Sequence, residues 1–303
     1  MPEKTLYKKV TIVGVGLMGG SLGLALKLKN LAGEVVGWGR SRERIEKARE
    51  RGAIDRGTLE REDALAGADL LVFATPSAAT LRLAPEWFAQ APPGCLITDL
   101  LSVKGGVVDT LTGLTGPRRY YVSSHPLGGS DESGAASARA DLFAGRVCLI
   151  TPVRSTKKPA IGEIQKLWQA LGMNVISLAP ARHDRVVAAV SHLPHLAAAA
   201  LINRIGDENL LQFSGPGLMD MTRIAAASPL LWTEIIMENK KEVLGQIDGL
   251  LETLVLVREQ MQSGDPSRIS AWLRKASLRR QKLSKTTKST LARRSATARR
   301  REG

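Results

Sequence analysis

The stretch "VTIVGVGLMGGSLGLAL" (residues 10–26) decides the reading of this chain. It opens as a short apolar, β-branched run and passes at once into Gly14-x-Gly16-x-x-Gly19. A strand that turns through such a loop into a helix presents free backbone N–H groups at the helix N-terminus, where negative charge is favoured. Each glycine has its own task. Gly14 permits the tight turn, Gly16 lets the main chain approach a pyrophosphate, and Gly19 lets the helix lie close to the strand. The pattern predicts a dinucleotide phosphate site over Gly14, Gly16, Leu17, Met18 and Gly19. The same uncharged run follows Lys8 and Lys9 and has the polarity of a signal peptide or a membrane anchor. Five glycines (14, 16, 19, 20 and 23) and the lack of a small-residue cleavage site argue against both. A cytoplasmic protein with no membrane partner is the expectation.

Outward from this loop, the first half alternates short apolar strands with helical stretches. Strand patterns fall at 9–14, 34–39, 69–76, 95–100, 120–125, 147–152 and 173–178. Between them lie segments such as "SRERIEKARERG" (41–52) and "AIGEIQKLWQALG" (160–172), with apolar positions at helical spacing. That alternation predicts βαβ units and a mostly parallel sheet. After about Ala181 the strands stop. "HDRVVAAVSHLPHLAAAALINRIGDE" (183–208) reads as helix, with Pro194 kinking or interrupting it. Residues 228–261 read as one long helix, with Ser228 as N-cap and Pro229 at its first position. Unbroken, it would run about 50 Å. Its apolar stripe is too wide for one small domain to cover, which implies a second subunit. The fold class is therefore α/β: an N-terminal Rossmann-type parallel-sheet domain (1–180), then an all-helical substrate and dimerisation domain (181–265), then a basic tail (266–303).

Charge separates the tail from the body. The chain carries +14, yet residues 274–303 alone hold 12 Lys/Arg against Glu302, leaving a net +3 elsewhere. That segment is poor in large apolar residues and reads as a disordered, solubilising extension. RNA, membrane and an acidic protein all suit its charge, so its partner is left unassigned. Cys95 and Cys148 sit inside apolar runs, which argues against disulfides and a Cys-based metal site and suits a reducing compartment.

In an open α/β sheet, ligands bind beyond the carboxyl ends of the strands. Those ends carry Thr75-Pro76, then Asp99 with Ser102 and Lys104 beyond it, then Ser124-His125. Convergence there makes His125 an acid/base candidate beside the nicotinamide half of a cofactor. The second strand ends "GWGRSRER", with Arg40 and Ser41 where an NAD site carries an acid for the ribose. Arginine there pairs with a 2′-phosphate, so NADP is favoured slightly over NAD. His192 and His195 share a helix face if the helix survives Pro194; a substrate-facing polar pair fits better than a metal site, with His192 the better candidate. Trp232 reads as core filler and His183 as a surface or helix-start residue.

The motifs "GVGLMGGSLGLAL", "DLLSVKG", "HPLGGSDESG", "VVAAVSHLPH" and "MTRIAAASPLLWTEIIMENK", in that order, resemble the prephenate/arogenate dehydrogenases of tyrosine biosynthesis. The resemblance covers roughly residues 8–262 and implies NAD(P)-dependent oxidative decarboxylation of a cyclohexadienol in a homodimer. It implies that His125 accepts the hydroxyl proton, that Ser102 hydrogen-bonds at the same centre, and that Arg223 grips a carboxylate. Ser130 and Asp131, in the turn after His125, would meet the keto or amino group that separates prephenate from arogenate. Hydride loss followed by CO2 loss yields an aromatic phenol, so no metal is expected. An appended regulatory domain and a preceding chorismate mutase segment are not expected either, which removes feedback inhibition by tyrosine through such a domain. Two alternatives stand beside this reading. One is another oxidoreductase of the same architecture using Lys240 or Lys241, and the other is a dinucleotide-sensing module that uses its tail on nucleic acid.

Overall fold

The computed structural model describes residues 5–128 and 134–299, with side chains through Leu283. Its first part runs β1 (Tyr7–Val13), α1 (Leu17–Leu28), β2 (Ala32–Trp38), α2 (Arg42–Glu50), β3 (Arg56–Thr58), α3 (Arg61–Leu65) and β4 (Leu70–Phe73). It continues through α4 (Ser77–Gln90), β5 (Leu96–Asp99), α5 (Gly105–Gly113), β6 (Tyr120–Pro126), β7 (Val147–Ile150), α6 (Lys158–Ala170) and β8 (Asn174–Ser177). The strands form one sheet in the order β3-β2-β1-β4-β5-β6-β7-β8. All neighbours pair in parallel except β6 and β7, which are antiparallel, with His125 opposite Leu149. The order reverses between β1 and β4, so the crevice at their carboxyl ends is the place where such a sheet takes a ligand.

Side-chain alternation builds the two faces. Leu70 and Val72 of β4 enter one core with Leu22 and Leu26 of α1 and Ile164 and Trp168 of α6. Leu71 and Phe73 enter the other with Trp87 and Phe88 of α4 and Val107 and Leu111 of α5. Both faces are covered, which is why these strands read as continuous apolar runs. The three-residue β3 carries no such run, and sequence patterning passes over it.

The helical part begins with α7 (Pro180–Val187), a π-helical turn (Ala188–His192) and α8 (Leu193–Arg204). Pro194 falls in the first turn of α8, and the π turn lies immediately before it. A proline has no N–H to donate and its ring crowds the carbonyl four residues back, so a widened turn relieves the ladder without breaking it. By length and composition Pro180–Arg204 would pass as a membrane span, but four of its polar side chains, His183, Asp184, His192 and His195, are buried within the protein.

Next come α9 (Pro216–Thr222), α10 (Pro229–Glu238) and α11 (Lys240–Gln262). The expected single helix over 228–261 is thus interrupted at Asn239, whose side chain bonds inward to other elements. Ser228 caps α10 as expected, its hydroxyl accepting from the Leu231 N–H. Glu234 of α10 accepts from the Ala78 N–H at 2.9 Å and so ties the helices to the N-terminus of α4. The last element, α12 (Pro266–Arg299), is helical where an unstructured tail was expected. Its Ala, Leu, Lys, Arg and Gln content has high intrinsic helix propensity, which sparse hydrophobicity does not cancel. By compactness the chain divides into Met1–Val243 and Leu244–Gly303.

Candidate active site

The glycine loop has the geometry its spacing predicts. Gly14 adopts φ +99° and donates its N–H to the Trp38 carbonyl at 2.9 Å, closing the turn after β1. A Cβ on Gly14 would lie 2.9 Å from the Ala74 carbonyl oxygen and 2.7 Å from the Thr75 methyl, so the β4 end packs directly on this loop. A Cβ on Gly19 would overlap the Gly14 carbonyl oxygen. Gly16 differs: nothing lies within 4 Å of the position its Cβ would take. Its side is open, and the N–H groups of Leu17 and Met18 begin α1 beside it. A tight turn, a close helix and an open cradle at the switch point together fit the pyrophosphate of a dinucleotide.

At the ribose position, Arg40 is exposed just beyond β2, and Ser41 caps α2 by accepting from the Arg44 N–H. The acid of this strand, Glu34, pairs instead with Arg56 at 2.8 Å, away from the strand end. Thr75 bonds to Thr80 at 2.8 Å, and Pro76 precedes α4.

The ends of β5 and β6 are pinned by a buried charge. Lys104 is fully buried and donates to Asp99 at 2.5 Å and to the Ser124 carbonyl at 2.7 Å, while Tyr121 donates to the other Asp99 oxygen at 2.6 Å. Burial lowers the Lys104 pKa and Asp99 opposes the shift. Asp99 and Lys104, which sequence position placed near the nicotinamide, are therefore scaffold. Losing one partner would strand the other's charge in the core. Ser102 stands half-buried in the turn between them.

His125 closes the β6 end and is 9% exposed. Its Nδ1 lies 2.9 Å from His183 Nε2, and His183 Nδ1 lies 2.8 Å from Asp184 Oδ1. His183 is wholly buried at the start of α7, which corrects the surface placement its sequence position suggested. Asp184 also accepts from the N–H groups of Lys104 at 2.8 Å and Gly105 at 2.7 Å, so α7 caps the N-terminus of α5 with a carboxylate. Burial raises its pKa, but the bonds from His183, Lys104 and Gly105 outweigh burial and hold it below the usual carboxylate value. Burial pushes His125 well below the ordinary imidazole value, helped by His183, Lys104 and His192. His183 is lowered too, by burial first, with Asp184 opposing. At neutral pH the chain is thus two neutral imidazoles ending on an ionised carboxylate.

His192 joins from the π turn. Asn239 Nδ2 donates to the Asp184 carbonyl at 2.9 Å and faces His192 Nδ1 at 3.2 Å, so that nitrogen accepts and the ring N–H sits at Nε2. Burial brings its pKa down to about 4. His195 stacks on Trp232 with centroids 3.4 Å apart, so Trp232 carries the histidine pair as well as filling space. Arg223 stands exposed on the 3-10 turn Arg223–Ala226, which packs on α8. Ser130 and Asp131 lie outside the described residues.

Two family profiles span most of the chain. Prephenate dehydrogenase, nucleotide-binding domain, matches residues 22–177, and prephenate dehydrogenase, dimerization domain, matches 179–275. The chain belongs to the prephenate dehydrogenase family. It is 30% identical over 273 residues to a prephenate dehydrogenase of Bacillus subtilis, covering 88% of this chain and 74% of the relative. It is 31% identical over 267 residues to a cyclohexadienyl dehydrogenase of Zymomonas mobilis, covering 86% of this chain and 91% of that one. The crystal structure of prephenate dehydrogenase from A. aeolicus in complex with hydroxyphenyl propionate and NAD+ superposes with a TM-score of 0.86 at 30% identity, over 93% of this chain and 100% of the other.

Membership makes the protein an oxidoreductase with a nucleotide-binding domain followed by a helical one, as the strand and helix pattern indicates. What sequence reasoning missed in this family member is the support of His125: His183, Asp184 and Asn239. Only one signal pointed there. "HD" opens the helix that follows the last strand, where its first turn comes back to the carboxyl edge of the sheet.

Proposed function

We propose that this protein oxidatively decarboxylates prephenate to 4-hydroxyphenylpyruvate with NAD(P)+, and that it also accepts arogenate. One observation carries the reading: a buried, neutral His125 at the end of β6, on the carboxyl edge of the sheet that holds an open dinucleotide loop. The relatives' names support the substrate class, one being a prephenate and one a cyclohexadienyl dehydrogenase. When bound, the cofactor supplies a nicotinamide that accepts hydride from the ring carbon bearing the hydroxyl. His125 takes the hydroxyl proton, and loss of CO2 leaves an aromatic ring, which makes the step irreversible. Ser102 hydrogen-bonds the hydroxyl, Arg223 holds a carboxylate by its two-pronged guanidinium, and His192 donates from Nε2. Ser130 and Asp131 meet the side-chain keto or amino group.

Gly14, Gly16, Leu17, Met18, Gly19, Thr75 and Pro76 hold the cofactor. Exposed Arg40 and the missing acid at the β2 end favour NADP over NAD. The protein works as a homodimer through its C-terminal helices. The dimerization profile supports this, as does α11, which exposes Leu244, Leu251, Leu254, Val255 and Leu256 on an isolated chain. The test is a purified-protein assay of prephenate and arogenate, each with NAD+ and NADP+. Reduction of NADP+ with prephenate is expected, with slower reduction of NAD+. Failure to reduce either cofactor with either substrate overturns the reading.

A further inference from the structure

His183 lies between His125 and a carboxylate, and its hydrogen bonds settle every proton in the chain. Asp184 is ionised and can only accept, so His183 Nδ1 carries an N–H. His183 is neutral, so its Nε2 holds a lone pair and accepts. His125 Nδ1, 2.9 Å away, must then be the donor. His125 is neutral as well, which leaves its Nε2 without a proton. The reverse tautomer would set two lone pairs against each other across that 2.9 Å gap.

We propose that His183 is a positioning residue for the dehydrogenase reaction: anchored by Asp184, it accepts the His125 Nδ1–H and keeps the base lone pair at His125 Nε2. This rests on the proposed activity, in which His125 receives the substrate hydroxyl proton. The step balances simply. The hydroxyl O–H bond breaks, an N–H bond forms at His125 Nε2, and the hydride goes to the nicotinamide. His183 neither gains nor loses a proton, and no hydrogen bond in the chain has to reverse. The charge that forms on His125 is met through His183 by the Asp184 carboxylate, the arrangement that makes a buried acid effective behind a histidine base.

The anchoring is rigid because it uses three elements. Asp184 of α7 is fully engaged by two N–H groups at the start of α5 and by His183. Asn239, at the break between α10 and α11, holds the Asp184 carbonyl at 2.9 Å. Lys104 pins the carbonyl of Ser124, the residue before His125, at 2.7 Å. A histidine buried only to fill space would not require its tautomer to be fixed from both sides.

The chain has only four histidines, which makes nitrogen-edited NMR of the full-length protein practical. The wild type is expected to show His125 protonated at Nδ1 and bare at Nε2. In His183→Ala, His125 should pass to a mixture dominated by the Nε2–H form. Its kcat should fall about 10²–10⁴-fold, while KM and cofactor affinity stay within about threefold. His183→Gln places an amide oxygen where Nε2 was and should recover at least about tenfold of the lost turnover. A His125 proton on Nε2 in the wild type overturns the proposal. So does His183→Ala with unchanged tautomer and turnover. If His183→Ala does not fold, the wild-type tautomer and the His183→Gln rate decide. An inactive wild type with the expected tautomer would sink the functional reading alone, because the resting tautomer is read without substrate.

Discussion

A base works only while it is unprotonated, and His125 is built to stay so. Burial, with His183, Lys104 and His192 around it, holds its pKa well below 6.5. Protonation removes activity, so kcat/KM should stay flat as pH falls through 6.5 and should decline only in more acidic solution. A decline centred at or above pH 6.5 in the pH profile would contradict the burial argument. His125→Asn keeps the size and polarity but has no comparable base, so kcat should drop about 10²–10⁴-fold with cofactor affinity held within about twofold. Turnover and cofactor titration on the same preparation separate the two effects. His125 was legible in the sequence because strand ends in a parallel sheet have a known destination. His183 was not. Nothing in "ARHDRV" says that its histidine is wholly buried, since its ring meets His125 of β6, distant in the chain.

At the scale of elements, the glycine loop separates folding from binding. Gly14 sits at φ +99° against the β4 end, so Gly14→Ala strains the backbone and clashes with the Ala74 carbonyl. It should lower the melting temperature and abolish cofactor binding together. At Gly16 no protein atom lies within 4 Å of an added Cβ, so Gly16→Val enters open space. Its branched side chain would instead occupy the pyrophosphate cradle. The melting temperature should hold within a few degrees while the cofactor Kd rises at least about tenfold, as calorimetry and a thermal melt on one sample would show. Equal damage from both substitutions would mean that Gly16 serves the fold. Such elements were readable because glycine spacing and strand periodicity are local signals. The break at Asn239 was not, since it follows from where that side chain must reach, whereas the π turn lies directly before Pro194, where the sequence placed a kink. Asn239 leaves the helical run to bond Asp184 and His192.

At the scale of the whole molecule, the charge excess and the family's domains part company near residue 275, where the dimerization profile ends. Truncation after Lys275 removes 28 residues, including ten of the chain's 43 Lys/Arg, without touching any residue of the site. Turnover should be unchanged, and any binding to a polyanion column at low salt should weaken sharply. A loss of turnover would give this segment a part in the site. Composition located the charge, but poor hydrophobicity misjudged the conformation, because α12 needs only helix-forming residues to be helical.

Acid stability tests the molecule as a unit, because all four histidines have pKa values lowered by burial. In the unfolded chain each would titrate near 6.5. Between the folded and unfolded values the unfolded state binds more protons, so stability must fall as pH falls through that window. The full contribution is present above about pH 6.5 and drains away below it. For His192 the loss runs down to about pH 4. A displacement from 6.5 to about 4 is on the order of 3 kcal/mol, at about 1.4 kcal/mol per pH unit. Most carboxylates remain ionised at pH 5, so a fall in the urea midpoint between pH 7 and pH 5 isolates the imidazoles. His192→Gln keeps a side chain for Asn239 to meet and removes one titration, so its midpoint should fall less over the same interval. A wild-type midpoint that is level from pH 7 to pH 5 would show that these histidines take up protons in the folded state as readily as in the unfolded one, and the lowered pKa of the base at the β6 end would go with it.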